Sequence, residues 1–471
     1  MVDIGYLEKL LLLEDAESYF EKLEEDGIFY WHYIRYYVSQ LIQEACFGVK
    51  SSTTDILEYK KYKKGIMAKV RSLELYKQKD ILVFAQGRRI KDGKYYRDPY
   101  NDAWLTKCCK SYYALEFDYL GQHFTPVPTN NLKYLDYSVL DKYIELYRKK
   151  INISNIRKLV LKVLENIESE YSIKLKSNQK RMIIEKAVYS VYAHKGVFVF
   201  YSNLLKKIRP KIITTDGAYT YDRMVLCEVA KKYNIPVVEF QHAVHIGHIA
   251  YNFKNKRELV SFPDYMLVFG KFDKDTNRLP INDNNIYPVG SAELDYQLSK
   301  LKYLNKKKKK KKIITVISSD DIDMLKIVLR LSDKLDIDKY KIIVKLHPSE
   351  YGIWEKRYSF LKNHKSISVV TDSRHNIYYY LIIADYIIGS DSTATVEASV
   401  TNAIIFITKT GRYQKQLSLV ENKRAVLVES ENEILDYIGN QNCQIYNQNY
   451  YFCNNACKRV NKALNEIISK Y

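Results

Sequence analysis

The spacing of apolar and polar positions changes once along the chain. Over residues 6–47 apolar side chains recur at helical intervals, in YLEKLLLLEDAESYFEKLEEDG and again in YWHYIRYYVSQLIQEACF, which predicts two helices. ILVFAQ (81–86) then reads as a short buried strand running into a loop rich in Arg, Asp and Tyr. YYALEFD (112–118) reads as another strand, and 136–208 as mostly helical, with the clearest stripe in ISNIRKLVLKVLENIESEY. From residue 211 onward strands and helices alternate. KIITTDG (211–217), IPVVEFQHA (235–243), DYMLVFG (264–270) and IYPVGSAE (286–293) are apolar runs closed by turn residues, and YDRMVLCEVAKKYN (221–234) is a helix between the first two. The cycle restarts with IITVISS (313–319), KIIVKLHP (341–348), SISVVTD (366–372), DYIIGS (385–390) and AIIFIT (403–408), interleaved with helices at DIDMLKIVLRLSDKL, NIYYYLIIA and STATVEASVTN (392–402).

Continuous apolar strands spaced by helices are the mark of parallel sheets covered on both faces. Two such cycles predict an α/β protein with two Rossmann-like domains facing across a cleft, preceded by extra N-terminal helices. The expected division is 1–262, 263–440 and a tail, 441–471, ending in an amphipathic helix that crosses back to the first domain. Ligands of open parallel sheets bind beyond the carboxyl ends of the strands. That rule selects Gln86 to Arg89, Asp216, Gln241, His242, Ser318 to Asp320, His347, Pro348 and Ser390 to Thr393.

Composition narrows the chemistry. Among 471 residues there are 16 Gly, and neither G-x-G-x-x-G nor G-x-x-x-x-G-K-[ST] occurs, so the glycine cradles of nicotinamide enzymes and P-loop ATPases are absent. The net charge of +20 points to anionic partners, although seven of the lysines form one run, 306–312, that reads as a solvated loop before a strand. Seven cysteines without C-x-x-C spacing disfavour a disulfide framework or a zinc ribbon and suit a reducing cytosol. The opening MVDIGYLEKLLLLEDAE lacks a basic leader, and no apolar run reaches the length of a membrane span. The expectation is a cytoplasmic protein, at most peripheral on the anionic inner face of the membrane.

Three strand-end groups carry chemistry. In K-L-H-P (345–348), Pro348 stops the strand and sets the direction of His347, which either serves a phosphate or caps a neighbouring loop. In G-S-D-S-T-A-T-V-E-A (389–398), hydroxyls and unpaired N–H groups at a helix start make an anion site, and Glu397 in the next turn is placed to hold a ribose hydroxyl; plain capping is the alternative. In T-T-D-G (214–217), Asp216 is either a carboxylate at a ligand site or part of a common Asp-Gly turn. A looser group, Arg88, Arg89, Arg97, Asp98 and Asp102, either grips an anionic acceptor or forms surface ion pairs. His242, His245 and His248 recur at three-residue steps, but the post-strand context gives no rigid helix face, so no metal is expected.

Together these groups resemble the GT-B glycosyltransferases of bacterial surface polysaccharide synthesis, and among them the bacterial sialyltransferases and capsule Kdo transferases. Those families carry an acid-acid-Gly motif, an H-P motif and a Ser/Thr motif; this chain has Thr215-Asp216-Gly217, His347-Pro348 and Ser392-Thr393, departing from the pattern at Thr215. E-F-Q-H-A (239–243) resembles the Q-H-G turn of capsule-synthesis proteins, with Ala243 for Gly. The resemblance spans about 211–410 and implies inverting, metal-independent transfer, without a cofactor, from a nucleotide-sugar donor, in particular a CMP-linked acidic sugar, to a glycan or lipid-linked glycan of the capsule or lipopolysaccharide. Asp216 is then the general base and His347 the leaving-group residue. Lys345, His347, Pro348, Ser318, Ser319, Ser390, Ser392, Thr393 and Glu397 bind the donor, and Arg88, Arg89, Gln241 and His242 the acceptor. A teichoic-acid-like polyol-phosphate transferase and a non-enzymatic glycan- or nucleic-acid-binding protein are the alternatives; no sequence-specific nucleic acid is expected.

Overall fold

The computed structural model describes residues 4–47, 76–119, 121–243, 247–306, 310–362, 364–372, 374–440 and 450–471. The predictions for His245 and for residues 307–309 of the lysine run lie outside these. Two compact units emerge, each built on one parallel sheet.

Among the described residues the parallel sheet of the first unit holds seven strands: β1 (Ile81–Ala85), β2 (Tyr112–Phe117), β3 (Leu132–Leu135), β4 (Ile212–Thr215), β5 (Val237–Phe240), β6 (Tyr265–Val268) and β7 (Ile286–Pro288). They lie in the order β7-β6-β5-β4-β1-β2-β3, all parallel. β1 and β2 are buried along their whole lengths, as strands covered on both faces must be. The N-terminal helices belong to this unit. The long helix Ser177–Ile208 packs against helices Trp31–Phe47, Tyr137–Tyr147, Ile153–Tyr171 and Tyr221–Lys232. Arg35, fully buried, ties Trp31–Phe47 to its surroundings: Nε and Nη2 donate to Glu14 at 2.8 Å, and further bonds run to the carbonyls of Ile249 (2.8 Å) and Asn252 (3.1 Å). The tail helix Ala456–Ile468 is also part of this unit; it buries Ala456, Val460, Ala463, Leu464 and Ile467 and packs on the short helix Asp102–Leu105.

The second unit holds β8 (Lys312–Ile317), β9 (Tyr340–Lys345), β10 (Ile367–Val370), β11 (Tyr386–Gly389), β12 (Ile404–Thr408) and β13 (Ala425–Val428), in the order β10-β9-β8-β11-β12-β13 and again all parallel. Its core packs Ile314, Val316, Ile342, Val344 and Ile388 against Met324, Val328 and Leu331 of helix Ile322–Lys334.

The expected boundary at 262 is corrected. β6 and β7 fall in the first sheet, Met266 pairing with Glu239 and Ile286 with Met266. Periodicity marks a strand but not the sheet that receives it, and a parallel strand after a short connection adds beside its predecessor. The helix expected over 392–402 is also shorter, with α-helix at Thr393–Glu397 and a 3₁₀ turn at Ala398–Val400. β-branched Thr393, Thr395, Val396, Val400 and Thr401 restrict χ1 and weaken a longer helix.

Candidate functional site

Both sheets share one strand order, 3-2-1-4-5-6 in their own chain order, the first adding a seventh strand at its edge. The crossovers diverge between the first and fourth strands, and an open parallel sheet forms its ligand crevice there. In the second sheet that point lies between β8 and β11.

Beyond β8 and β11, Ser319 Oγ lies 3.1 Å from Ser390 Oγ. Ser318 donates its N–H to the Lys345 carbonyl (3.1 Å) and its hydroxyl to Glu350 Oε1 (2.8 Å). Glu350 is buried, accepts the Tyr358 hydroxyl at 2.5 Å, and through Oε2 accepts the His347 N–H at 2.7 Å. One carboxylate thus ties the end of β8 to the H-P turn that follows β9. Pro348 opens the 3₁₀ turn Pro348–Glu350, and exposed His347 caps it, Nδ1 accepting from the Ser349 N–H at 3.3 Å. In the neutral ring this leaves the proton on Nε2. The capping reading of His347 is therefore realised, with the other edge of the ring available.

The last residue of β11 is Gly389, where Thr395 leaves no room for a side chain: a Cβ there would lie 2.5 Å from Thr395 Oγ1. Ser392 caps the next helix through Ala394 N–H (3.3 Å), and Thr393 is its first residue. Lys345 faces inward. Its ammonium donates to the Tyr351 hydroxyl and to the Asp372 carbonyl (3.1 Å) and lies 4.7 Å from the Tyr351 ring centroid, so it braces β9 instead of presenting a free charge. Glu397 accepts from the Tyr378 hydroxyl at 3.0 Å; burial first and Glu293 second push its carboxyl up to about 7. Two cations after β12 escaped the sequence reading. Arg412 Nε meets Asp391 Oδ2 at 2.5 Å, and Lys415 is partly buried, its ammonium pulled down by desolvation and by Arg412. Gln416, next in sequence, donates to the Ser392 carbonyl at 3.3 Å, joining this segment to the Ser392 turn. The signal was K-T-G-R-Y-Q-K directly after an apolar strand.

In the first sheet the corresponding point lies between β1 and β4, and carboxylates surround it. Asp216 follows β4 and is 8% exposed, with Oδ2 lacking a hydrogen-bond partner among the described residues. Burial, then the charge of Asp98, hold its carboxyl well above the usual carboxylate range against the pull of Arg223. Gln86, at the end of β1, reaches the Asp216 carbonyl with its amide (3.4 Å) and donates its N–H to Asp98 Oδ2 (3.0 Å). Asp98 also accepts from Tyr100 N–H (2.9 Å) and the Asn101 amide (2.9 Å); desolvation and Asp102 raise it to about 6. Gly217 has φ +101°, a left-handed conformation open to glycine, and the N–H groups of Gly217 and Ala218 both donate to Glu239 Oε1, at 3.0 and 3.2 Å. Tyr251 donates to the same oxygen, and burial raises Glu239 to about 7 despite these bonds. Glu239 therefore shapes the Asp216 turn.

Of the predicted acceptor residues, only Arg88 is exposed. Arg89 is internal, its Nε 2.5 Å from Glu116 and its Nη1 3.2 Å from Asp102, so it neutralises buried carboxylates and does not grip an acceptor. Gln241 is buried, its amide donating to Asp273 (2.6 Å) and the Ala243 carbonyl (2.9 Å). His242 is partly buried, stacks on Tyr219 at 5.8 Å, and is lowered by desolvation to about 4. Among the described residues no His, Cys, Asp and Glu side chains group to hold a metal ion, and no helix is long and apolar enough to cross a membrane.

No family model matches the chain, and no curated protein matches it by sequence. Solved structures do. UDP-GlcNAc 2-epimerase from Methanocaldococcus jannaschii is similar with a TM-score of 0.52 at 13% identity, over 82% of this chain and 99% of that one. UDP-GlcNAc 2-epimerase from Neisseria meningitidis bound to UDP-GlcNAc has a TM-score of 0.48 at 13% identity, over 82% and 100%. The wall teichoic acid polymerase TagF has a TM-score of 0.45 at 11% identity, over 93% and 98%. At such identities the first of these is a likeness of fold: the chain has two Rossmann-like domains of the GT-B type.

Proposed function

We propose that the protein transfers a sugar from a nucleotide-activated donor to a hydroxyl of a glycan or lipid-linked glycan. The observation that carries this reading is the repetition of one strand order with opposite chemistry at its reversal point, hydroxyls in one sheet and carboxylates in the other. The GT-B fold is shared with an enzyme named for a nucleotide sugar, which agrees with the reading.

The donor phosphate is assigned to the second sheet. Ser319, Ser390, Ser392 and Thr393 offer hydroxyl donors, His347 its Nε2–H, and Lys415 a positive charge, which together stabilise the departing nucleotide. Glu397 is assigned to a ribose hydroxyl. Asp216 takes the proton of the acceptor hydroxyl as its oxygen bonds to the anomeric carbon; the bond from that carbon to the phosphate oxygen breaks, and its electron pair leaves with the nucleotide. Burial and Asp98 make the ionised form of Asp216 a stronger base than an exposed carboxylate. The net charge of +20 suits approach to an anionic surface carrying a lipid-linked acceptor.

A thermal-shift panel of CMP, CDP, UDP and GDP tests the donor assignment. One nucleotide should stabilise selectively, by about 2.7 kcal/mol at a hundredfold excess over Kd. His347→Ala should keep the fold, since its side chain is exposed, and lose about 10- to 100-fold in transfer, the worth of a hydrogen bond to a charged group. A flat response to all four nucleotides sinks the proposal.

A further inference from the structure

We propose that the Asp216 end of the first sheet carries a saccharide-binding wall, formed by Tyr36 and Tyr219 with the rings of His242 and His248, that seats a neutral sugar by its C–H face. This rests on the reading of Asp216 as the base and names the class of acceptor.

The four rings form one partly exposed cluster. Tyr36 and Tyr219 have centroids 5.1 Å apart; Tyr36 stacks on His248 at 5.3 Å with planes 16° apart; Tyr219 lies 5.8 Å from His242 and 5.4 Å from His248. The cluster adjoins the base, since a Cβ on Gly217 would sit 3.6 Å from Tyr219 Cε1. Tyr36 comes from the helix Trp31–Phe47, and the neighbouring Arg35 clamps that helix to the Ile249 and Asn252 carbonyls, beside His248. A role thus appears for the N-terminal helices that neither sheet accounts for.

Two observations select the ligand. The hydroxyls of Tyr36 and Tyr219 make no hydrogen bond to the described residues, although both residues are half-buried, so partly exposed aromatic surface lies beside an unused donor. A pyranose has the matching surface, with axial C–H groups on one face and hydroxyls around the edge. The charges here are unfavourable to an anionic sugar. Asp98, Asp216 and Glu239 are carboxylates, while Arg89 and Arg223 are paired with Glu116, Asp102 and Asp222.

Saturation-transfer NMR on the full chain tests this, with diacetylchitobiose, lactose and maltose as neutral probes and sialyllactose as the acidic one. At least one neutral probe should receive magnetisation at its ring C–H protons. Its affinity should fall about tenfold in Tyr219→Leu and in Tyr36→Leu, which keep apolar volume without a ring face, and fall less in the Phe variants, which keep the ring and lose only the rim hydroxyl. Absence of neutral-probe binding in the wild-type protein, tighter binding of sialyllactose, or Leu variants that bind as wild type would overturn the wall. The wild-type measurement decides even if a variant does not fold. Nucleotide stabilisation reports on the second sheet alone: its presence without saccharide binding removes the wall and leaves the transferase reading standing, whereas saccharide binding without any nucleotide response removes the transferase reading.

Discussion

The two sheets have the same strand order and opposite furnishings. Where the second sheet reverses, Ser319 and Ser390 meet with their hydroxyls 3.1 Å apart and cations follow the next strand. Where the first reverses, Asp98, Asp216 and Glu239 crowd into a buried space and keep their protons longer than exposed carboxyls do. Strand order decides where a ligand can sit; the residues at the strand ends decide its charge. On the reading proposed above, the phosphate belongs at the hydroxyl end and proton transfer at the carboxylate end.

The largest expected effect breaks this contrast at the carboxylate end. Asp216→Asn keeps shape but accepts no proton, so steady-state transfer should fall about 10²- to 10⁴-fold while nucleotide stabilisation is unchanged. If nucleotide binding is lost instead, the carboxylate belongs to the donor. The turn glycines give the next effect, in folding. Gly389→Ala forces a methyl group onto buried Thr395, costing about 1–3 kcal/mol in denaturant unfolding, and Thr395→Ala in the same chain should recover most of it. Gly217→Ala strains a left-handed backbone by about 1–2 kcal/mol and has no such rescue, because the cost lies in the backbone and a Cβ there meets only Tyr219 Cε1, at an ordinary 3.6 Å.

At the hydroxyl end, Ser319→Ala with Ser390→Ala should weaken nucleotide binding about tenfold by calorimetry, two hydrogen bonds of about 0.5–1.5 kcal/mol each being lost. Unaltered affinity would make these serines packing residues. The smallest effect sharpens the comparison through pH. Asp216 works as a base only when ionised, so transfer should rise with pH through a midpoint above the ordinary carboxylate range. Removing the neighbouring negative charge in Asp98→Asn should move that midpoint to lower pH. A limb that stays in place in a kcat profile would assign it to another group.

Legibility in the sequence followed burial. Strands such as Ile81–Ala85 and Tyr386–Gly389 are apolar along their whole length and could be read directly. Leu132–Leu135, an edge strand with one buried residue, and Ala425–Val428, an edge strand with two, carry too weak a signal. Asp216, Ser318 and Ser390 are legible as strand-end positions because they directly follow apolar runs. Glu350 is not legible in this way, since Ser318, the partner that ties it to the end of a neighbouring strand, lies 32 residues away and only folding joins the two. Arg89 sits in a loop that reads as exposed, and its true partner was signalled elsewhere, by a glutamate inside the apolar strand YYALEF.

The helix Ala456–Ile468 has a consequence for how the molecule is made. It belongs to the first unit, where Cys457 Sγ lies 3.4 Å from the Ala103 carbonyl, yet it is translated after the whole second sheet. The ribosome therefore delivers a complete second sheet while the first still shows the surface reserved for Val460, Leu464 and Ile467. Of the two units, the one begun first is the one closed last, and until then it carries an uncovered apolar flank, the kind of surface through which incompletely folded chains associate.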